Sequence, residues 1–324
     1  MRSLSAAFWN YDRTLPLVDG RIRIDGVDLR VELLRPEETF ARAFGAAEFD
    51  ICELSFSNSV TALSLGKLAY TLVPAFLSRA FRHSSLFVRA DACTGTPEGL
   101  KGARVGVQEY DMTAAVVARG FLRDYGIAPT DIRWRVGEAE RTKPLDFPVG
   151  RVPEGLDIEL LPPGVTLEQR LLAGELDAII SLRVPETAKG PAPRIRHLFA
   201  DPAAAERDWF RRHRVFPIMH AVGIRRSVAE EDPGLSRRVY EAFLAAKNLA
   251  VAELDIIQAP KVTLPWPHAA LAEARELIGA DHWPYGIAAN RHAIERQLQW
   301  SRDDGLQARP VAIEELFAAS CLDT

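Results

Sequence analysis

The chain of 324 residues is 48% hydrophobic and 26% charged, which is enough apolar material for two ordinary domain cores. A formal net charge of -4 argues against nucleic acid as a partner, because phosphate backbones are held by clustered cations. Three scattered cysteines, Cys52, Cys93 and Cys321, build neither a disulfide framework nor a zinc site and point to a reducing compartment.

No run approaches the ~18–20 apolar residues of a membrane span. The first residues lack the apolar stretch of a secretory signal. A cytoplasmic protein with no membrane partner, assembled as a homo-oligomer, is expected.

In chain order, Leu4 to Trp9 reads as a first strand ending in the polar turn Asn10 to Thr14. Ligands of open α/β sheets sit at such carboxyl ends, so Tyr11, Asp12 and Arg13 are binding candidates; a solvated turn is the plain alternative. Asp19-Gly20 and Asp25-Gly26 mark turns around a short strand. Val27 to Leu34 alternates as a half-buried strand, and Pro36 to Ala47 has helical spacing with proline at the start. Phe49 to Ser59 is a further strand and its exit loop. There Glu53, Ser55 and Ser57 alternate onto one side, as a binding feature or as a cap for the apolar stretch Val60 to Leu68. Leu72 to Phe76 then leads into Phe81 to Arg89.

That segment, FRHSSLFVR, sets Arg82, His83 and two hydroxyls before a short apolar strand. Phe216 to Arg225 repeats the pattern with His220. The pair reads as two crossings of a hinge between two α/β lobes with the ligand in the cleft. Either histidine could equally be a packed, hydrogen-bonded core group.

Between the crossings, Thr96 to Gly102 is a turn-rich entry and Ala103 to Val107 a short strand. Gln108 to Thr113 opens a helix running to about Tyr125. A strand turning directly into a helix N-terminus offers free backbone N–H groups to an anion, with Glu109, Tyr110 and Thr113 beside it. Asp111 or Thr113 as a simple N-cap is the alternative. Ile132 to Val136 is a strand, and Gly137 to Pro163 is irregular and proline-rich, a long excursion or lid. Thr166 caps a short helix, and Gly174 to Arg183 is helix stop then strand, with Ser181 and Arg183 at its carboxyl end. Ile195 to Phe199 is one more strand and Ala203 to His213 a helix. After the second crossing come helical segments at Pro233 to Leu254, His268 to Leu277, His292 to Asp303 and Ile313 to Ala319. Two aromatic, proline-punctuated loops interrupt them.

This order gives an α/β, two-lobed, type II periplasmic-binding-protein-like fold, with mixed sheets flanked by helices and two hinge crossings. Lobe one is expected to hold residues 1–88 and 217–324, with the helical tail, and lobe two residues 89–216.

Five segments stand in one order: Trp9 to Thr14, Phe49 to Ser55, Phe81 to Ser84, Val107 to Tyr110 and Phe216 to His220. In them the chain resembles the 4,5-dihydroxyphthalate decarboxylases, enzymes related to solute-binding proteins. One departure is that Gln108-Glu109-Tyr110-Asp111 stands where the family pattern reads Pro-Glu-Tyr-Gln.

The resemblance implies loss of CO2 from an aromatic carboxylate with a para hydroxyl, 4,5-dihydroxyphthalate going to protocatechuate. Arg82, Arg13 and Arg183 are candidates to hold the carboxylate that stays, since guanidinium meets carboxylate in a two-pronged way. His83 and His220 suit the acid and base roles, with Glu53 orienting one of them. No organic cofactor is required, because the phenol is itself the electron source. A divalent metal held by catechol oxygens with His83, His220 and Glu53 is compatible with these residues, although no spacing demands it. A non-catalytic solute-binding protein for a small organic anion is the rival reading.

Overall fold

The computed structural model describes residues 1–92, 95–138 and 153–324. Cys93 and most of the expected excursion, including Pro144 and Pro148, lie outside the described residues. Eleven strands are described: β1 (Arg2–Phe8), β2 (Val27–Leu33), β3 (Ile51–Ser55), β4 (Tyr70–Arg79), β5 (Leu86–Arg89), β6 (Arg104–Val107), β7 (Arg133–Val136), β8 (Ile158–Leu160), β9 (Ala178–Ile180), β10 (Ile195–His197) and β11 (Ile218–Arg225). The helices of the first half are α1 (Leu15–Val18), α2 (Pro36–Ala46), α3 (Phe56–Ser64), α4 (Thr113–Leu122) and α5 (Leu167–Leu172). Those of the second half are α6 (Pro202–His213), α7 (Arg226–Glu231), α8 (Leu235–Glu253), α9 (Pro267–Leu277), α10 (Arg291–Asp303) and α11 (Ile313–Leu316).

The strands form two mixed sheets, in the orders β2-β1-β3-β11-β4 and β10-β5-β9-β6-β7-β8. In the first, β1 runs parallel to β2 and β3, and β11 runs antiparallel to β3 and β4. The chain leaves this sheet after Arg79 and returns at Ile218, so both expected crossings exist. The first crossing is shorter than expected. Strand β5, whose residues Leu86 to Val88 are expected in lobe one, pairs with β9 and β10 in the second sheet. Its apolar run fits either core; only the pairing decides.

Most expected elements form within about three residues of their expected ends. Four differ. No strand forms between Gly20 and Gly26; the two glycines adopt positive φ and Arg21 is tied to Asp19 and Glu253. The helix after β3 starts at Phe56, four residues before the expected apolar stretch from Val60, with Ser55 at the N-cap position but no side-chain cap bond. A strand, β8, emerges inside the expected irregular stretch and adds parallel to β7. Helix Pro233 to Leu254 is preceded by a separate short one, α7.

The C-terminal tail does not belong to one lobe. On α10, Ile294 and Leu298 join the core of the first sheet while Ala293 and Trp300 join that of the second. Trp300 packs over Gly120 of α4 so closely that a Cβ there would meet its ring at 2.4 Å. Just beyond the helix, Asp304 takes Arg119 at 2.7 Å and Arg123 at 2.6 Å, and neither Arg119 nor Asp304 is more than 1% exposed. Removing one partner of such a buried set costs about 3–5 kcal/mol. The tail therefore ties the two lobes together. Among the described residues no helix is long and apolar enough to cross a membrane.

Candidate active site

Strand β3 lies between β1 and β11, and all five of its residues are buried. A carboxylate in such a strand needs partners, since an unpaired buried charge is strongly unfavourable. Glu53, fully buried, has three. Its Oε2 accepts from the Trp9 backbone N–H at 3.0 Å, and its Oε1 accepts from the Tyr11 hydroxyl at 2.7 Å and from His220 Nδ1 at 2.6 Å. Burial works against the charge. The His220 hydrogen bond and charge, with the Trp9 and Tyr11 donors, outweigh it and hold the carboxyl below its usual range. Burial and the Glu53 charge raise the Tyr11 phenol, so Tyr11 stays protonated as a donor.

His220 is brought to Glu53 by the β3–β11 ladder, in which it stands opposite Ser55. Against β4 the register shifts on both sides of His220. Such irregularities re-aim side chains. The Phe40 ring of α2 packs edge-on to the imidazole at 4.9 Å. In the tautomer that donates Nδ1–H to Glu53, Nε2 carries the lone pair whenever the ring is neutral. A carboxylate fixing an imidazole in this way prepares it to take a proton.

Arg13 supports the pair from behind. Its guanidinium lies 4.0 Å from the Tyr11 ring and 4.5 Å from the Trp283 ring. Its Nε donates to the Leu77 carbonyl at 2.7 Å and one terminal nitrogen to Asp12 at 3.0 Å. Tyr11, Arg13, Glu53 and His220 thus form one assembly. Asp12 belongs to it only through Arg13, on the exposed side.

A second group joins the lobes. Ser55 Oγ bonds Asn58 Oδ1 and lies 3.1 Å from Thr113 Oγ1, which also accepts from the Ser57 N–H at 3.0 Å. Asn58 donates to Asp111 at 3.3 Å. The N-cap of α4 is Met112, so neither Asp111 nor Thr113 caps it. Nor is the N-terminus of α4 a plain anion site, as two carboxyls, Glu109 and Asp111, sit before it. Burial raises both; Asp111 and Glu37 add their charge, and Glu109 reaches about 7.

Other nominated residues lie elsewhere. His83 is stacked on Phe121, with ring centroids 3.9 Å apart, beside Phe199 and Trp209. Both its nitrogens are buried without a hydrogen-bond partner, and burial pushes it down to about 3. It belongs to the aromatic core of the second lobe, apart from Glu53 and His220. The reason is that the same polar lead-in precedes each strand, but only one crossing faces β3. His83, His220 and Glu53 therefore do not gather as a metal set, and among the described residues no three metal-ligating side chains do. Tyr110 is also a core residue: its ring lies under Arg119 at 3.8 Å and against Trp134, with its hydroxyl buried and unpartnered. Arg82 turns Nε toward the Met219 sulfur at 3.3 Å, beside His220 in sequence, and burial lowers it to about 10. Among the described residues it has no carboxylate at ion-pair distance.

Ser181 and Arg183 line a cavity of about 1320 Å³ with Gln108, Val136, Glu37 and Ala41. It lies between α2 and the carboxyl ends of β6, β7 and β9, where open α/β sheets hold ligands. Glu53 and His220 are not among its lining residues. On α2, Glu37 and Ala41 turn to the cavity, whereas Phe40, one position round, meets His220.

Trp283, Phe40, Asn58 and Asp111 contribute here without having been nominated from the sequence. The aromatic loop around Trp283 was a signal; the others had none beyond lying near nominated residues.

The chain is 42% identical over 322 residues to a 4,5-dihydroxyphthalate decarboxylase of Comamonas testosteroni, covering 99% of this chain and 98% of the relative. It is 43% identical over 210 residues to one of Pseudomonas putida, covering 64% of this chain and 81% of the relative. No family model matches. Among solved structures, the periplasmic aliphatic sulphonate binding protein SsuA of Escherichia coli aligns over all of both chains with a TM-score of 0.54 at 13% identity. The desulfurization enzyme DSZB aligns over 100% of this chain and 98% of its own with a TM-score of 0.52 at 15% identity. These two establish the fold, which is that of periplasmic solute-binding proteins, as the element order implied. The near full-length identity to the Comamonas enzyme places the chain in the 4,5-dihydroxyphthalate decarboxylase family.

Proposed function

We propose that the protein is a carboxy-lyase that converts 4,5-dihydroxyphthalate to protocatechuate and CO2 in phthalate degradation. The observation that carries this reading is the contact of His220 Nδ1 with the buried Glu53 at 2.6 Å, in a chain so similar to a decarboxylase. His220 Nε2 takes the proton of the hydroxyl para to the departing carboxylate. The oxygen's electron pair moves into the ring, and the carbon bearing the carboxylate accepts a proton. The bond from that carbon to the carboxylate then breaks, its pair restores the aromatic ring, CO2 leaves, and the oxygen recovers its proton from His220. One proton is consumed for each CO2 released.

Glu53 fixes the imidazole and stabilises its charged form; Tyr11, clamped by Arg13, holds Glu53. Arg82 takes the carboxylate that stays, its guanidinium lacking a carboxylate partner among the described residues. Ser181 and Arg183 guide the diacid through the cavity beside α2. The scheme uses no organic cofactor and no metal step, so treatment with a chelator leaves turnover intact. The enzyme works in the cytoplasm as a homo-oligomer, in line with the free, buried Cys52 and Cys321, and sedimentation checks the assembly.

The deciding experiment is incubation of the purified protein with 4,5-dihydroxyphthalate. Equal amounts of CO2 and protocatechuate are expected. Tight binding of the diacid without product would replace this reading with a solute-binding one.

A further inference from the structure

The β6–α4 connection brings an ionisable group to the end of β3 from the opposite lobe. Glu109 follows Gln108, a lining residue of the interlobe cavity, and Glu37, another lining residue, is near enough for its charge to act on it. Further along the same connection, Asp111 is bonded to Asn58 and Thr113 touches Ser55 at 3.1 Å. Ser55 is the register partner of His220. The connection is therefore pinned to the strand pair that carries His220, and Glu109 stands in the chain between Gln108, which lines the cavity, and Asp111, which is bonded at that seam. Asp111 has a partner there. Glu109 has no hydrogen bond or ion pair among the described residues.

We infer that Glu109 is the acid that delivers the proton replacing CO2 on the ring carbon. The inference rests on the decarboxylase reading above. In the step, the O–H bond of Glu109 breaks and the ring C–H bond forms. The electron pair of the carbon–carboxylate bond returns to the ring as CO2 departs. Water then reprotonates the Glu109 carboxylate, while His220 takes and returns the phenolic proton.

A donor must hold its proton at neutral pH, and the surroundings favour this. Burial, then the negative charges of Asp111 on the same loop and Glu37 at the start of α2, push Glu109 up to about 7. The cation that acts on Asp111, Arg119, is committed to the Tyr110 carbonyl and Asp304.

The test compares wild type, Glu109→Gln and Glu109→Asp. One assay is CO2 release from 4,5-dihydroxyphthalate across pH. The other is NMR-detected exchange of the protocatechuate ring hydrogen in D2O, which reads the same C–H bond in reverse. Glu109→Gln is expected to lower kcat ~10²-fold or more with KM within ~3-fold. It is also expected to abolish ring exchange and to remove the loss of wild-type activity above about pH 7. Glu109→Asp, which keeps an acid on a shorter arm, is expected to retain part of both activities. If Glu109→Gln fails to fold, as read from its thermal midpoint, Glu109→Asp with wild-type kcat and exchange at every pH would overturn the assignment. A folded Glu109→Gln with kcat within ~3-fold of wild type, or with undiminished exchange, would overturn it as well. A wild type that binds the diacid but releases no CO2 would instead defeat the decarboxylase reading, and the role of Glu109 with it.

Discussion

Replacing Glu53 by Gln keeps the shape of the side chain and removes its charge. The native carboxylate accepts three donors, two at Oε1 and one at Oε2. An amide has only one acceptor oxygen. If it takes the Oε1 position, Tyr11 and His220 keep neutral hydrogen bonds and the Trp9 N–H faces an NH2 group. Turned the other way, it strands two donors instead of one. Each stranded buried donor costs about 1–3 kcal/mol, so the favoured orientation lowers stability by that amount.

The effect on turnover is larger, because the imidazolium formed when His220 takes a proton loses its counter-charge. A fall in kcat of ~10²–10⁴-fold is expected. The pH dependence of stability provides a separate check. The folded carboxyl is held below its unfolded value, so Glu53 contributes stability that is present above ~4.3 and lost as pH falls through the folded value. Glu53→Gln lacks that component of acid sensitivity. The assay is kcat and KM by CO2 release, with urea unfolding at several pH values. In the double variant with His220→Ala, kcat should fall no more than ~3-fold below His220→Ala alone if the two act as a unit. A Glu53→Gln protein less stable by the stated amount but with wild-type kcat would refute the reasoning, leaving Glu53 a structural residue.

Tyr11→Phe removes one donor from Glu53, so its carboxyl rises, and the acid limb of kcat/KM is expected to move to higher pH; an unmoved limb would exclude Tyr11 from the assembly. His83→Phe is expected to leave kcat within ~3-fold of wild type, as a core residue allows. In the wild type, His83 is depressed to about 3 in the fold but titrates near ~6.5 when unfolded. The unfolded state thus binds more protons, and stability falls as pH drops from ~6.5 toward 3 by up to about 1.4 kcal/mol per unit. His83→Phe should lose that slope in urea titrations at pH 5 and 7. Asp304→Asn, which strands Arg119 and Arg123, should lower stability by about 3–5 kcal/mol, and Gly120→Ala, which drives a methyl into Trp300, by about 1–3 kcal/mol. Both should leave KM unchanged at low temperature if α10 is a clamp remote from the chemistry.

The local code of this chain is plain to read. Apolar runs such as Val105 to Val107 and Leu86 to Val88, the proline start at Pro36 and the Thr166–Gln169 capping box are signals contained in a few neighbouring residues, and the elements they announce form nearly where expected. Tyr11 and Glu53 were legible as candidates because polar groups at strand ends or inside buried strands need a reason to be there. Partner choice was not legible. His83 and His220 share one local signature, yet one is stacked among Phe121, Phe199 and Trp209 while the other, 167 residues from Glu53, is laid against it by the β3–β11 register. Strand β5 and helix α10 likewise have apolar faces that suit either core, and only packing assigns β5 to the second sheet and spreads α10 over both lobes. Period and propensity act over a few residues. Desolvation and charge pairing depend on which distant groups meet, and the chain settles that only when it is folded.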